Sequence, residues 1–421
     1  MSERFVANKP YLSVCAAIAL MCVNGVTACS SSNPPAPVVE PSPVTGLVKH
    51  VFVIVLENKS FSTTFGSTSP VPYLTQTLAS QGAQLSGYYG TGHVSLDNYV
   101  SMISGQAGTP QTISDCQTYA DFTATNGTPA TNGQILGSGC VYPASVQTLA
   151  DQMTAANLTW KGYMGDMGND PTRESASCGH PTLNTVDHTQ VAEPPSAAVP
   201  LGDMYATRHD PFMYFHSIID SAECGTHVVN MEQNLANDLK SVTTTSNLTF
   251  ITPNLCDDGH DSPCANGAAG GYPSMNAFLT KWVPIILASP AYQADGLLII
   301  NFDESNYVLS EGAGGVTITF PGNFCCGETL GPNLAPYPQS TSAGGYTLVY
   351  NNYGGDQTGA ILLSPFIKAG TVSTVPYNHY SMLKTVENIS IYPCLGTRRR
   401  RGWLNWGVTY SRMFRRGVRQ K

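Results

Sequence analysis

The stretch KHVFVIVLEN, residues 49–58, holds an unbroken apolar run from Val51 to Leu56, closed by Glu57 and Asn58. A strand with one wet face alternates apolar and polar residues. This run does not, so both of its faces are covered, as in a buried parallel strand. GLLIINF (296–302) repeats the pattern and ends on Asp303 and Glu304. LTFIT (248–252) is a third apolar strand, followed by Asp257, Asp258 and His260. Further strands are read at 346–351 and 360–363. Helical spacing is read at 73–81, 145–156, 231–242, 277–288 (interrupted by Pro284) and 380–388. Strands alternating with helices predict an α/β sandwich around a mainly parallel sheet. In such sheets ligands bind beyond the carboxyl ends of strands. Three acidic clusters in that position therefore predict one shared site. A single such cluster would pass for a polar turn.

Composition agrees with an exported, loop-rich enzyme. The 421 residues include 40 Gly and 29 Pro, and only 11% are charged. Twelve cysteines suit an oxidising compartment. None stands in a C-x-x-C pattern, which argues against a zinc ribbon. Cys116 with Cys140 and Cys256 with Cys264 are neighbours able to pair, the adjacent Cys325 and Cys326 read as structural, and Cys394 is the candidate odd thiol. The 105–139 stretch, rich in Thr, Gly and Asn, reads as a long disulfide-tied loop.

Both ends stand apart from this body. Arg4 and Lys9 precede an apolar segment, and Val26-Thr27-Ala28-Cys29 resembles a lipobox. Residues 1–29 therefore read as a lipoprotein signal peptide lipidated at Cys29, with an ordinary cleaved signal as the alternative. Residues 30–46 are a Ser/Pro-rich tether. The formal net charge of −8 hides an asymmetry: residues 398–421 carry eight Arg and one Lys and no acid. The acidic remainder argues against nucleic acid as a partner. Residues 390–421 form an atypical basic tail. Its abrupt arginine excess resembles out-of-frame translation, and a basic arm for anionic lipid is the competing reading.

Six blocks, in order, resemble the bacterial phosphoesterase family of acid phosphatases and phosphatidylcholine-type phospholipases C. They are HVFVIVLENKSFSTTFG (50–66), GHVSLDNY (92–99), YATRHDPFMYFHS (205–217), ITPNLCDDGHD (251–261), FDE (302–304) and HYS (379–381) followed by TVE (385–387). The resemblance implies an alkaline-phosphatase-like three-layer sandwich over residues 47–389. It also implies one or two divalent metal ions per site, which supply the charge neutralisation that phosphoryl transfer needs. Asp97 departs from the family pattern, which often has Pro there.

Carried over residue by residue, the resemblance makes Ser95 the nucleophile and Asn98 a phosphoryl contact. His93 and His209 become candidates for phosphate contact or proton transfer. Glu57, Asn58, Asp258, His260, Asp303, Glu304 and His379 become candidate metal ligands. Alone, Ser95 would pass for a helix N-cap, and His379 for the cap of its own helix. The implied activity is a metal-dependent phosphomonoesterase working through a phosphoserine. A phospholipase C-type phosphodiesterase is the runner-up, and a surface lipoprotein that binds phosphorylated ligands without cleaving them is the alternative outside catalysis. The exported product would sit in the cell envelope through Cys29, or be secreted without that lipid.

Overall fold

The apolar run folds as strand β1 (His50–Leu56), buried along its whole length. The computed structural model describes residues 47–390 except 131, 313, 314 and 344. The signal segment with Cys29, the tether, Cys394 and the tail from 391 onward lie outside the described residues. Seven further strands join β1: β2 (Ala83–Leu85), β3 (Trp160–Met164), β4 (Val228–Asn230), β5 (Leu248–Thr252), β6 (Gly296–Phe302), β7 (Ala360–Leu363) and β8 (Thr371–Ser373). Their order is β8-β2-β7-β6-β1-β5-β3-β4. Strand β7 runs antiparallel to both neighbours, and the other pairings are parallel.

The unbroken apolar runs follow from burial on two sides. Val51, Val53 and Val55 enter one core with helix α1 (Ser95–Ser104), α2 (Leu149–Ala155) and α5 (His379–Ser390). Phe52, Ile54 and Leu56 enter the other with α3 (Met231–Asp238) and α4 (Gly271–Ala288). The chain is thus a three-layer α/β sandwich with a mainly parallel centre, as the strand and helix alternation predicts. Among the described residues no helix is long and apolar enough to cross a membrane.

The register of the three central strands sets the site. Leu56 lies opposite Phe302, and Ile54 opposite Ile251. The chain therefore leaves β1, β6 and β5 side by side, delivering Glu57, Asp303 and Asp258 to one edge. Two backbone bonds lock this alignment: Asp303 N–H to Leu56 O at 2.9 Å, and Glu57 N–H to Asp258 O at 3.0 Å.

Between β6 and β7 the chain inserts a separate four-stranded sheet of Val308–Gly312, Gly315–Phe320, Gln339–Ala343 and Tyr346–Tyr350. The strand expected at 346–351 belongs here, not to the central sheet. Disulfides join Cys116 to Cys140 and Cys256 to Cys264, the pairs the sequence suggested, and also Cys178 to Cys224 and Cys325 to Cys326.

The long connection from β3 to β4, residues 165–227, is held by an acidic network. Asp203 Oδ2 accepts from Asp170 N–H at 2.7 Å, and Glu174 Oε1 accepts from Gly168 N–H at 2.7 Å. Burial, with the Asp203 carboxylate beside it, pushes the Glu174 carboxyl up to about 9. A carboxyl raised on folding holds a proton that the unfolded chain has already released. Its contribution to stability therefore falls as pH rises from its ordinary value to its raised one, at up to about 1.4 kcal/mol per pH unit. Denaturant melts between pH 5 and 8 are expected to show this decline. Glu174→Gln keeps an acceptor for Gly168 and should flatten it; an unchanged slope in the variant would exclude Glu174 as its source.

Candidate active site

Helix α1 begins directly beneath the ends of β1 and β6. The residue before it, Val94, has φ 75° and ψ 131°. A β-branched residue disfavours positive φ, so something outside must hold this turn. Glu304 does so: its Oε2 accepts the Val94 N–H at 2.9 Å. The same oxygen lies 2.6 Å from His93 Nδ1, while His93 Nε2 lies 2.7 Å from Asp356 Oδ2. Flanked by two carboxylates, the buried His93 is raised to about 10 despite the desolvation that opposes its charge. Below the turn, Asn98 Oδ1 accepts the N–H groups of Thr91 at 2.8 Å and Gly92 at 3.0 Å, and its Nδ2 donates to Gly92 O. A side chain on Gly92 would meet Asp97 Oδ2 at 1.8 Å, so the buried Asp97 requires glycine there.

This turn presents Ser95. Its Oγ donates to Glu57 Oε2 at 3.0 Å. Tyr99, one helical turn further on, donates to Glu57 Oε1 at 2.6 Å. The Tyr99 ring stacks on His209 with centroids 5.2 Å apart and planes 10° apart. His209 reaches the site from the 3₁₀ turn Thr207–His209 in the β3–β4 connection. Its Nε2 is 3.6 Å from Glu57 Oε2 and its Nδ1 is 3.3 Å from Asp258 Oδ2. One donor atom each from Glu57, His209 and Asp258 falls within a 4.8 Å span. Asp303 Oδ1 accepts the Asn58 N–H at 2.9 Å.

The electrostatics of this group are those of carboxyl groups crowded together and buried. Glu57 is raised well above the usual carboxylate range, first by burial and then by Asp303 and Asp258. Asp258 is raised by burial, and Asp303 is raised to about 6, again chiefly by burial. His209 is pushed well below its ordinary value by burial and then by Arg208 and His260, so its ring is neutral and one nitrogen carries a lone pair. Buried polar atoms are nearly always paired. Yet Asp258 Oδ2, Asp303 Oδ2 and both His209 nitrogens have no hydrogen-bond partner among the described residues. Two buried carboxylates and one nitrogen of a neutral imidazole, set beside Glu57, fit a divalent cation of the zinc, manganese or iron type.

Not every residue picked from the sequence faces this pocket. His379 Nε2 donates to Asp303 O at 2.6 Å and its Nδ1 accepts from Tyr88 at 2.9 Å, so it braces the Asp303 backbone with both nitrogens. Burial lowers it to about 4, leaving it neutral. Glu304 is engaged with His93 and Val94. His260 sits at the rim beside Asp261, at 2.8 Å, with its ring 5.9 Å from that of His209. Asn58, at φ 52°, joins the group through its backbone N–H and through a 3.3 Å bond from its side chain to Glu57 Oε2.

Three residues escaped the sequence reading. Tyr99 stands four after Ser95, the spacing that puts two side chains on one helix face, and that signal was available. Lys59 is buried with its Nζ on Glu57 O at 3.1 Å and Gly259 O at 2.8 Å, which ties the β1 and β5 ends together. Asp356 comes from the far end of the inserted sheet, and nothing local marks it.

Comparison with known proteins identifies the family. The model of the "Phosphoesterase family" matches residues 69–390. A "Probable acid phosphatase" of Kluyveromyces lactis is 23% identical over 261 residues, 61% of this chain and 48% of that protein. A "Phosphate-repressible acid phosphatase" of Penicillium chrysogenum is 24% identical over 229 residues, 54% of this chain and 42% of that protein. The chain thus spans about half the length of the curated relatives it matches. A crystal structure of an alkaline phosphatase superfamily protein from Vibrio parahaemolyticus aligns with TM-score 0.43 and 10% identity, covering 85% of this chain and 71% of that one. With its family model matched over most of its length, the chain belongs to the phosphoesterase family.

Proposed function

We propose that this protein hydrolyses phosphate monoesters, with Ser95 as the attacking nucleophile. The observation that carries the reading is the Ser95 hydroxyl, 3.0 Å from Glu57 Oε2, on a strained turn beside unpartnered buried donor atoms. Glu57, Asp258, Asp303 and His209 would hold a divalent cation, which when bound neutralises phosphoryl oxygens and makes a serine hydroxyl a better nucleophile.

The chain's own groups do the rest. Tyr99 fixes one oxygen of Glu57 and leaves the other facing Ser95. Glu304 holds Val94 in its positive-φ conformation, so the hydroxyl points out of the turn. Asn98 keeps the Thr91–Gly92 backbone closed beneath it. Because α1 starts at Ser95, the positive end of its dipole faces an incoming anion. In this reading the Ser95 oxygen attacks phosphorus, the ester oxygen leaves, and water then releases phosphate from the phosphoserine. Apart from the cation, carboxylates outnumber the basic groups around the site, Lys59 and His93. A dianionic ester alone would be repelled, which is why metal dependence belongs to the proposal.

The related acid phosphatases favour the monoesterase over the diesterase reading. Export is part of the proposal as well. Four disulfides suit an oxidising compartment, and lipidation of Cys29 would place the enzyme at the cell envelope.

Two measurements test the chemistry. Ser95→Ala is expected to lower kcat on a chromogenic phosphate monoester by at least about 10³-fold with unchanged circular dichroism. A folded Ser95→Ala protein with wild-type turnover would remove Ser95 as nucleophile. Elemental analysis reads the cation directly. The wild type should carry a stoichiometric transition metal that a chelator removes, and Asp258→Asn and His209→Ala should each retain well under half of it. Equal metal in all three proteins would place the cation elsewhere.

A further inference from the structure

The inserted sheet meets the nucleophile turn through aromatic rings that the chemistry above does not use. Phe320 ends its strand with its ring centroid 4.9 Å from that of His93, two residues before Ser95. Tyr350 ends the neighbouring strand and stacks on Phe320 at 4.6 Å, with planes 13° apart. Tyr307 stands edge-on to Phe320 at 6.0 Å and 70°. Phe320 is buried by this packing, but Tyr350 is half-buried and Tyr307 is 45% exposed.

These rings border the turn that presents Ser95. Tyr307 is four residues past Asp303, and its neighbour Asn306 bonds Ser60 beyond Glu57 and Asn58, Asn306 Oδ1 accepting the Ser60 N–H at 3.0 Å. The Tyr350 phenol is raised to about 12 by burial and then by Glu304, Asp115 and Asp97. Those three carboxylates surround the start of α1: Glu304 holds Val94, Asp115 Oδ1 accepts the Leu96 N–H at 3.0 Å, and Asp97 lies in the first turn. The insert itself is anchored to the turn by Asp356. Its carboxylate accepts the N–H groups of Gly322 at 3.0 Å and Asn323 at 2.8 Å while contacting His93. An aromatic surface fixed this firmly next to a nucleophile, yet left open on one side, is suited to a planar apolar group.

We propose that Tyr307 and Tyr350, backed by Phe320, form the leaving-group wall of the site and select phosphate esters of aromatic alcohols over those of small polyols. The proposal rests on the phosphatase reading for its kinetic arm only. Its binding arm needs no turnover.

The kinetic readout is the ratio of kcat/KM for phenyl phosphate to that for glycerol phosphate, in the full chain and in Tyr307→Ala and Tyr350→Ala. Loss of one ring contact should lower that ratio by about fivefold to tenfold. Tyr350→Phe, which keeps the ring, should restore it. General damage to the fold would reduce both substrates together and leave the ratio unchanged, and that result would overturn the proposal. The second arm measures binding of phenylphosphonate and methylphosphonate to Ser95→Ala by calorimetry. Phenylphosphonate should bind more tightly, and the added Tyr350→Ala change should remove most of its advantage. Equal affinities for the two phosphonates would overturn the wall even if both esters are cleaved. If neither ester is cleaved but the affinity difference is present, the phosphatase reading fails and the wall stands.

Discussion

Everything in this site depends on keeping three buried carboxylates together. Glu57, Asp258 and Asp303 are fully buried and leave adjacent parallel strands in register. Desolvation alone makes each reluctant to ionise, and at Glu57 repulsion from Asp303 and Asp258 adds to that. One basic group is built in. Lys59, depressed by burial, is held up by Asp258, Glu57 and Asp303 in turn, and its ammonium sits on backbone carbonyls of the two loops that present Glu57 and Asp258. Ionising all three carboxylates therefore needs positive charge beyond that of Lys59, which a divalent cation would supply. The neutral His209 adds a nitrogen donor without adding charge.

Hydrogen bonds made by His379 and Glu304 turn this charge arrangement into geometry. His379 and Glu304 bond backbone or turn atoms rather than the pocket, and each fixes a different part. His379 fixes the Asp303 backbone, and Glu304 fixes the Val94 turn. A Cβ on Gly90 would come within 2.5 Å of Asp303 O, so glycine is required where that backbone passes the turn. Positive φ at a valine costs on the order of 1–3 kcal/mol and persists only where surrounding structure enforces it. Here Glu304, His93 and Asp356 supply that enforcement in a continuous row.

The central architecture was legible because burial on both faces writes an unbroken apolar run, and a run that ends in an acid marks its own carboxyl end. Glu57 and Asp303 were found this way, whereas Asp258 was singled out from its cluster with Asp257 by the Asp-x-His spacing of the family block. Of the inserted sheet only the strand at 346–350 was read. Val308–Gly312 is short and exposed, and the Val-Thr-Ile-Thr-Phe alternation of Gly315–Phe320 is a strand signal that went unread. His209 could be named from its block but not placed, because it comes from a connection of some sixty residues whose path is set by long-range contacts. Glu304 and Asp303 are adjacent and chemically alike. Only the backbone direction at the end of β6 decides that one faces the pocket and the other faces His93.

Ser95 began as the least distinctive residue of the group, since a serine before a helix is most often a cap. An N-cap serine accepts a hydrogen bond from the backbone two or three residues on. In this structure Val94 occupies the cap position and makes no side-chain cap bond, and Ser95 is already the first residue of the helix. Its hydroxyl donates instead to a buried carboxylate from another strand. Capping therefore does not account for the hydroxyl, and the backbone strain beneath it would stabilise nothing if a local cap were all the turn had to provide. The strain is accounted for by where the turn puts the oxygen: against Glu57, at the start of a helix, at the edge of a pocket of unpartnered metal-binding atoms.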